Sequence, residues 1–191
     1  MVAFEEYADA LTETLKRTIE RVREEDNWKS TDKVRLIFHA FKPLKDLEAD
    51  AIKTAVEGLD IENVTYAFVH IAPNHPYVIF DHNQEGQPKW AQLKKGVLGP
   101  SRGLHLKLGD YESLVVFAGA LEIKQAAHGL PRACLLKLHR NSTFRDMTYL
   151  ARQAFDFTAL SWRVMTPEAY PITIKYSDLI AERLTGLKQI D

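Results

Sequence analysis

Charged side chains are distributed unevenly along this 191-residue chain, although its formal net charge is only −1. Residues 1–85 carry 17 acidic and 10 basic side chains, whereas residues 86–155 carry 4 acidic and 11 basic ones. Five of these lysines and arginines, and no carboxylate, lie between Gly86 and Gly109. A basic middle beside an acidic start indicates a face that could bind a polyanion. The alternative is a solvated surface whose charges are uneven.

A second group of charged residues lies near the C-terminus. Pro171 and the alternating residues 172–174 predict a strand at 171–175. Ser177 is a suitable N-cap and predicts a helix at 177–186. Asp178 would lie in the first turn of this helix, where the helix dipole favours an anion. An acid at this position is also ordinary helix stabilisation, so Asp178 alone indicates no function.

Histidines and acids elsewhere offer a weaker hypothesis of a metal site. Their spacing matches no compact ligand motif, and two of the segments resemble turns, so we expect no metal site. The residues considered are His39, His70, His75, Asp81 and His82. Cys134 is the single cysteine, which excludes an intramolecular disulfide, and its apolar neighbours predict a buried thiol.

Hydrophobic periodicity predicts strands and helices that form a single α/β domain over residues 1–191. A strand–helix–strand order near the start predicts a parallel pair joined by a crossover. Residues 87–103 are predicted to form a long surface loop. The predicted helices are 3–25, 47–58, 143–160 (capped by Ser142 or Thr143) and 177–186. The predicted strands are Val34–His39, Val64–Ile71, Tyr77–Phe80, Leu114–Phe117, Ala133–Leu138 and 171–175.

Composition is that of an ordinary globular protein, with 46% hydrophobic and 27% charged residues. No apolar stretch approaches 18 residues, and the N-terminus lacks a signal-peptide core. We therefore expect a soluble, cytoplasmic protein.

Several segments together resemble the PIWI domain of Argonaute proteins. The C-terminal block is the most specific: Ser161-Trp162-Arg163, then Pro171, Tyr176-Ser177-Asp178 and Arg183 in matching order. Gly99–Gly103 resembles a loop of that family, and Gly129–Arg132 resembles its turn before a strand. The resemblance covers roughly residues 5–187 and implies a partial RNase H-like PIWI domain of the short, catalytically inactive prokaryotic type. This fold has a central mixed sheet flanked by helices.

The resemblance also implies that cleavage chemistry is absent. Slicing members hold two divalent cations with four side chains, because both the attacking and the leaving oxygen must be clamped. Asp178 matches the fourth ligand, whereas Ala40 stands at the third and cannot bind a metal. The first two ligands would lie upstream of Met1. We expect no enzyme activity and no cofactor, apart from Mg²⁺ at a guide 5′ phosphate.

Nucleic-acid binding is the function that the resemblance favours. Arg183 matches the family's arginine near the guide 5′ phosphate, and other cations lie in or beside matching segments. Contacts to phosphates would supply affinity without sequence reading. The expected phosphate-binding residues are Arg183, Lys175, Arg163, Arg140, Lys137 and Arg102.

Partners and alternatives follow from the same resemblance. The expected partners are a guide RNA or DNA and a target strand, together with a MID-containing region, a partner chain or a second copy that covers the edge of strand Val34–His39. The N-terminal helix could instead cover that edge and leave a stable monomer. Two other functions stay open: a protein-interaction subunit on an RNase H-like scaffold, and a nuclease completed by another chain.

Overall fold

The computed structural model describes residues 2–59, 61–88, 94–119, 130–161 and 168–187. None of the helices in these ranges is long and apolar enough to span a membrane. In chain order the elements are α1 Val2–Glu25, β1 Lys33–Ala40, α2 Asp46–Glu57, β2 Asn63–Ala72, β3 Gln87–Pro88, β4 Lys94–Lys95, β5 His105–Lys107, β6 Glu112–Val115, β7 Cys134–Leu138, α3 Met147–Asp156 and α4 Ile172–Leu187.

A five-stranded mixed sheet forms the centre of the molecule, with the strand order β1-β2-β7-β6-β5. β1 pairs with β2 in parallel through eight residue pairs, from Lys33–Asn63 to Ala40–His70. β7 runs antiparallel to β2, and β6 and β5 continue antiparallel. The predicted α/β class, mixed sheet and parallel crossover pair are therefore confirmed.

Helices cover the sheet because their apolar stripes match its faces. Leu11 and Leu15 of α1 pack with Ile52 and Val56 of α2 against Phe68 of β2. A second cluster joins β2, β6 and β7 to α3 and α4, with Leu136, Leu150 and Ile174 buried within it. The predicted helices at 3–25 and 47–58 are confirmed within one residue at each end.

The predicted strand at 171–175 is wrong, because these residues form the first turn of α4. The Pro171 carbonyl accepts hydrogen bonds from the Ile174 and Lys175 amides. Proline suits this position because its fixed φ is already helical and its missing N–H would have had no helical partner. Ser177 is likewise mid-helix instead of an N-cap, and its hydroxyl donates to the Thr173 carbonyl at 2.7 Å.

The helix predicted at 143–160 is shorter, at Met147–Asp156, and its predicted caps form other hydrogen bonds. Asp146 is the N-cap, and its side chain accepts from the Tyr149 amide at 3.0 Å. Ser142 and Thr143 accept hydrogen bonds from the amides of Phe68 and Tyr66 instead. These two hydroxyls therefore complete the backbone bonding of β2 beyond the end of β7.

Three further differences concern strands. Tyr77–Phe80 is not a strand, and β6 begins and ends two residues earlier than predicted. The long loop predicted at 87–103 contains the two-residue strands β3 and β4, which pair with each other. β5, at the far edge of the sheet, was not predicted because three residues carry too little periodicity.

Candidate nucleic-acid interface

A crevice opens where β1 and β2 end and β7 begins. The carboxyl ends of parallel strands meet at one edge of a sheet, and ligands of open α/β sheets commonly bind there. Two cavities of about 540 and 530 Å³ lie in this crevice and share His70, Ala72 and Asn74. We call them the strand cavity and the helix cavity, after the elements that distinguish them.

The strand cavity is mainly apolar. Leu44, Phe68 and Leu138 contribute to its walls, and Lys137 and His139 bring polar atoms to it. Ala40, the last residue of β1, also lines this cavity. The position that the resemblance assigns to a metal ligand is thus in the crevice, but it presents only a methyl group.

The helix cavity lies between the end of β2 and the start of α4. Lys42, Lys175 and Asp178 bring charges to it, and Tyr170 brings a phenol. Burial raises the pKa of Tyr170, with Cys134 as a smaller cause, so the phenol keeps its proton. Among the described residues, the cavity therefore offers two cations and a hydroxyl donor beside one carboxylate.

A row of side chains crosses the sheet beneath the strand cavity. His70 lies opposite Lys137, which in turn lies opposite Glu112. The Lys137 Nζ contacts a Glu112 carboxylate oxygen at 3.2 Å. Burial lowers the pKa of His70, a hydrogen bond to the Phe41 carbonyl opposes this, and Lys137 lowers the pKa further. His70 is therefore neutral near pH 7 and acts as a hydrogen-bonding group.

Lys175 has a stronger partner than Lys137. Its ammonium forms an ion pair with Glu168, whose side chain is largely buried and also accepts from the Ser161 hydroxyl at 3.2 Å. The Lys175 side chain remains one-third exposed. One side of Lys175 thus contacts protein while the other faces the crevice.

β1 contacts α4 near the carboxyl end of the strand. The His39 Nδ1 lies 2.8 Å from the Thr173 hydroxyl, and its ring contacts Phe157 edge-on. Its Nε2 is buried without a hydrogen-bond partner. Burial lowers the pKa of His39 to about 4, so this histidine is neutral.

Arg102 lies outside the crevice and is engaged within the protein. Its Nε donates to the Phe117 carbonyl at 3.0 Å and its Nη2 to the Thr158 hydroxyl at 2.6 Å. The guanidinium also stacks 4.2 Å from the centre of the Phe155 ring. Gly103 follows with a φ of +86°, and its amide donates to the Val116 carbonyl. These contacts use the fork of Arg102 to hold the loop.

The other predicted cations lie apart from the crevice. Arg183 is exposed on α4, and Arg140 is exposed in the loop after β7, where its carbonyl accepts from Arg145 Nη2 at 3.2 Å. Neither arginine lines the two cavities. Arg163 lies outside the described residues. The crevice therefore brings together Lys137, Lys175 and Asp178 from the predicted set.

A metal site finds no support in the part of the chain that the structure describes. Within those residues no group of three His, Cys, Asp or Glu side chains is close enough to hold an ion. His75, one of the histidines considered, contacts the Ala133 carbonyl through Nε2 at 2.6 Å. The side chains present around Ala40 and Asp178 do not fit a two-cation centre.

Sequence reasoning missed the contribution of Lys42 and Asn74 to the crevice, and considered His70 and His75 only as metal ligands. A usable signal was available. Each residue lies at or just beyond the end of β1 or β2, and the predicted parallel pairing places both ends at one edge of the sheet.

Comparisons with known proteins show which proteins this chain resembles. No family model matches the chain. A protein named Protein argonaute from Cereibacter sphaeroides is 39% identical over 192 residues, which cover 98% of this chain and 25% of that relative. The chain thus spans about a quarter of the length of the curated relative it matches.

Solved structures with the same fold are also Argonautes. Clostridium butyricum Argonaute, determined with a guide DNA and a 19-mer target DNA, has a TM-score of 0.61 at 14% identity over 91% of this chain and 20% of that one. A. aeolicus Argonaute has a TM-score of 0.55 at 16% identity over 88% and 21%. These likenesses support the fold, and the closer sequence match supports the family. The chain is a relative of the Argonaute proteins, with the α/β, RNase H-like fold expected of their PIWI region.

Proposed function

We propose that this chain is a nucleic-acid-binding module of an Argonaute-type protein, which holds a guide or target strand through backbone phosphates and does not cleave it. The observation that carries the proposal is the crevice, where Lys42, Lys137 and Lys175 lie around two cavities in a chain related to Argonautes. The C. butyricum relative was solved with guide and target DNA, which favours the same ligand class here.

The lysines of the crevice suit phosphates that pass along it. An ammonium group acts as a compact point charge toward phosphate oxygens, without requiring one fixed approach direction. Lys42 has no carboxylate partner within the described ranges; its Nζ lies 5.5 Å from the centre of the Phe41 ring. Lys137 and Lys175 already neutralise Glu112 and Glu168, so a strand would share their charge. The tyrosine phenol at position 170 adds a neutral donor.

Salt titration of the intact chain tests binding directly. Short single strands should bind with an affinity that falls as salt rises, by a log–log slope of about −0.7 for each phosphate contacted. RNA and DNA strands of equal length and sequence, with and without a 5′ phosphate, define the preferred class. Affinity that is flat from low to high salt would contradict phosphate binding.

Absence of cleavage is the second part of the proposal. Two-cation phosphoryl chemistry needs several carboxylates around the scissile phosphate, whereas Asp178 is the one carboxylate among the described residues that line the helix cavity. A single carboxylate beside Lys175 is better suited to a local ion balance than to metal binding. No Mg²⁺- or Mn²⁺-dependent product should appear from RNA or DNA. Cleavage that is lost in Asp178→Ala would refute this part.

Arg183 is proposed to contact the region of a guide 5′ phosphate, with Arg140 as a further exposed contact. Both guanidiniums are exposed and lie outside the crevice, so they would meet a strand that extends beyond it. No cofactor is proposed, except Mg²⁺ at a guide 5′ phosphate, where phosphate oxygens and waters would be among its ligands.

A partner that covers β1 is the third part of the proposal. β1 is an edge strand of the described sheet, and its eight residues include the apolar Leu36 and Phe38. Long apolar edges pair readily with another strand. Leu36 and Phe38 pack in the same cluster as Leu11 and Leu15 of α1, so this helix covers a face of β1. No strand of the described sheet pairs with the outer backbone edge of β1, and that edge is where a partner strand would bind. The partner would be a MID-containing region, a separate chain or a second copy.

Sedimentation and hydrogen exchange test the partner. The edge-facing amides of β1 should exchange quickly in the monomer and slowly once a partner binds. A monomer at high concentration whose β1 amides are all protected would show that the N-terminal helix suffices. The same free edge favours the second candidate function, a protein-interaction subunit, which predicts partner binding together with salt-independent, negligible affinity for nucleic acid.

A further inference from the structure

We infer that Tyr77, supported by His75, forms a stacking platform for one unpaired nucleobase at the mouth of the strand cavity. The inference rests on the proposed function, and it adds a base contact to a crevice so far described only through phosphates. The segment that carries it, residues 75–80, follows β2 and takes no part in the sheet.

The two rings are arranged as a fixed pair. Their centroids are 5.8 Å apart with an interplanar angle of 35°. The His75 Nε2 lies 2.6 Å from the Ala133 carbonyl, which requires that this nitrogen carry the proton. Nδ1 is then free to accept from the Tyr77 amide, at 3.2 Å. Both nitrogens are therefore used to hold the histidine ring beneath the tyrosine.

The tyrosine is held but not covered. Tyr77 is 45% exposed, although it lines a cavity whose other walls include Phe68, Leu44 and Leu138. Val78 and Phe80, which follow it, are 60% and 53% exposed. A rigid aromatic residue facing an apolar hollow is the arrangement with which proteins bind unpaired bases, because every base has a π face.

The surroundings favour a base over a lipid or a peptide. The cavity volume of about 540 Å³ is within the range of roughly 300–1,000 Å³ typical of small-ligand pockets. This volume exceeds the space that a single planar base requires. Lys137 and Asn74 bring a cation and an amide to the same cavity, and Lys42 lies in the adjoining one. A phosphate near these cations would leave its base beside Tyr77.

The test combines a tyrosine substitution with abasic strands, using the full 191-residue chain. Tyr77→Ala should weaken binding of a short single strand by roughly 5- to 150-fold, the range for loss of one base–aromatic stack. Tyr77→Phe should bind nearly as well as the wild type because the ring remains. Tyr7→Ala is the matched control, since Tyr7 is 49% exposed on α1.

An abasic scan identifies the base. In the wild type, one position of the strand should lose affinity when its base is removed, and Tyr77→Ala should be insensitive at that same position because the two losses share one contact. The platform would be overturned, and the proposed function kept, if the wild type bound strands normally, no abasic position lost affinity and Tyr77→Ala bound as well as the wild type. Absence of any strand binding by the wild type would overturn the proposed function and the platform with it.

Discussion

Arg102, Lys137 and Lys175 are all predicted to bind phosphate, yet the fold uses Arg102 differently from the two lysines. Arg102 spends its donors on the Phe117 carbonyl and the Thr158 hydroxyl, and its planar face on Phe155. Lys137 and Lys175 each contact one carboxylate and keep part of the side chain exposed at the crevice. A basic residue in a family-like segment is therefore a candidate ligand-binding group only if the protein leaves its charge accessible.

Replacing Arg102 should give the largest effect, and on stability. Arg102→Ala removes two hydrogen bonds and a stacked cation, and leaves the fully buried Thr158 without its donor. We expect a loss of about 3 kcal/mol in the free energy of unfolding. Urea denaturation measures this loss.

Arg152→Ala is the matched control, because Arg152 pairs with Asp156 on the surface of α3 and is 84% exposed. It should change stability by less than about 1 kcal/mol. If Arg102→Ala were as stable as this control but bound strands more weakly, Arg102 would belong with the crevice lysines.

His39 should make the join between β1 and α4 sensitive to acid. Its pKa is about 4 in the folded state, below the ordinary value of about 6.5, so unfolding takes up a proton in the window between these values. The stabilising contribution is present above about pH 6.5 and is lost as pH falls toward 4. Between pH 7 and 5 we expect a loss of about 2 kcal/mol from this residue.

Denaturation of the wild type and of His39→Gln at pH 7 and 5 isolates this contribution. The variant should lose less stability than the wild type over that range, while His82→Gln, on the exposed turn, should follow the wild type. Parallel pH profiles for the wild type and His39→Gln would mean that folding does not lower the pKa of His39.

Lys137 should affect binding instead of stability. Lys137→Ala should make the salt dependence of strand binding shallower by about 0.7 in log–log slope, because one phosphate contact is lost. Lys53→Ala is the control: Lys53 is paired with Glu57 on α2 and is as exposed as Lys137, at 48%. Equal slopes for both variants would remove Lys137 from the interface and weaken the distinction from Arg102.

Arg183 should give the smallest effect, restricted to one class of strand. Arg183→Ala should reduce the affinity of 5′-phosphorylated strands by about 1 kcal/mol or less, as expected for an exposed charge pair. Matched strands without the phosphate should bind as before. The measurement is a paired titration at one salt concentration, and an equal loss for both strands would assign Arg183 to the general backbone.

α1 and the β1–α2–β2 unit could be predicted from the sequence alone. Their apolar residues repeat with clear helical or strand periods over 8 to 24 residues, as in Val2–Glu25, so local pattern and tertiary packing agree. The resemblance in the C-terminal block likewise identified the family, because order and spacing of residues survive when secondary structure is misread.

The conformation of the shorter segments depends on tertiary packing. Ile172-Thr173-Ile174 alternates like a strand, yet Ile174 is buried against the core and Thr173 bonds His39, and both contacts come from the first turn of a helix. Residues 77–80 read as a strand, but β2 already pairs with β1 and β7, so the sheet has no place for them beside β2. Short patterns carry little free energy, so packing overrides them.

The candidate site was likewise predictable from the sequence only in part. Residue type showed which side chains carry charge, and the resemblance assigned Ala40 and Asp178 to two of the four metal-ligand positions. Only the folded chain decided that Lys137 and Lys175 face the crevice while Arg102 turns inward. The physical reason is that accessibility depends on neighbours distant in sequence, as Phe155 and Thr158 are from Arg102.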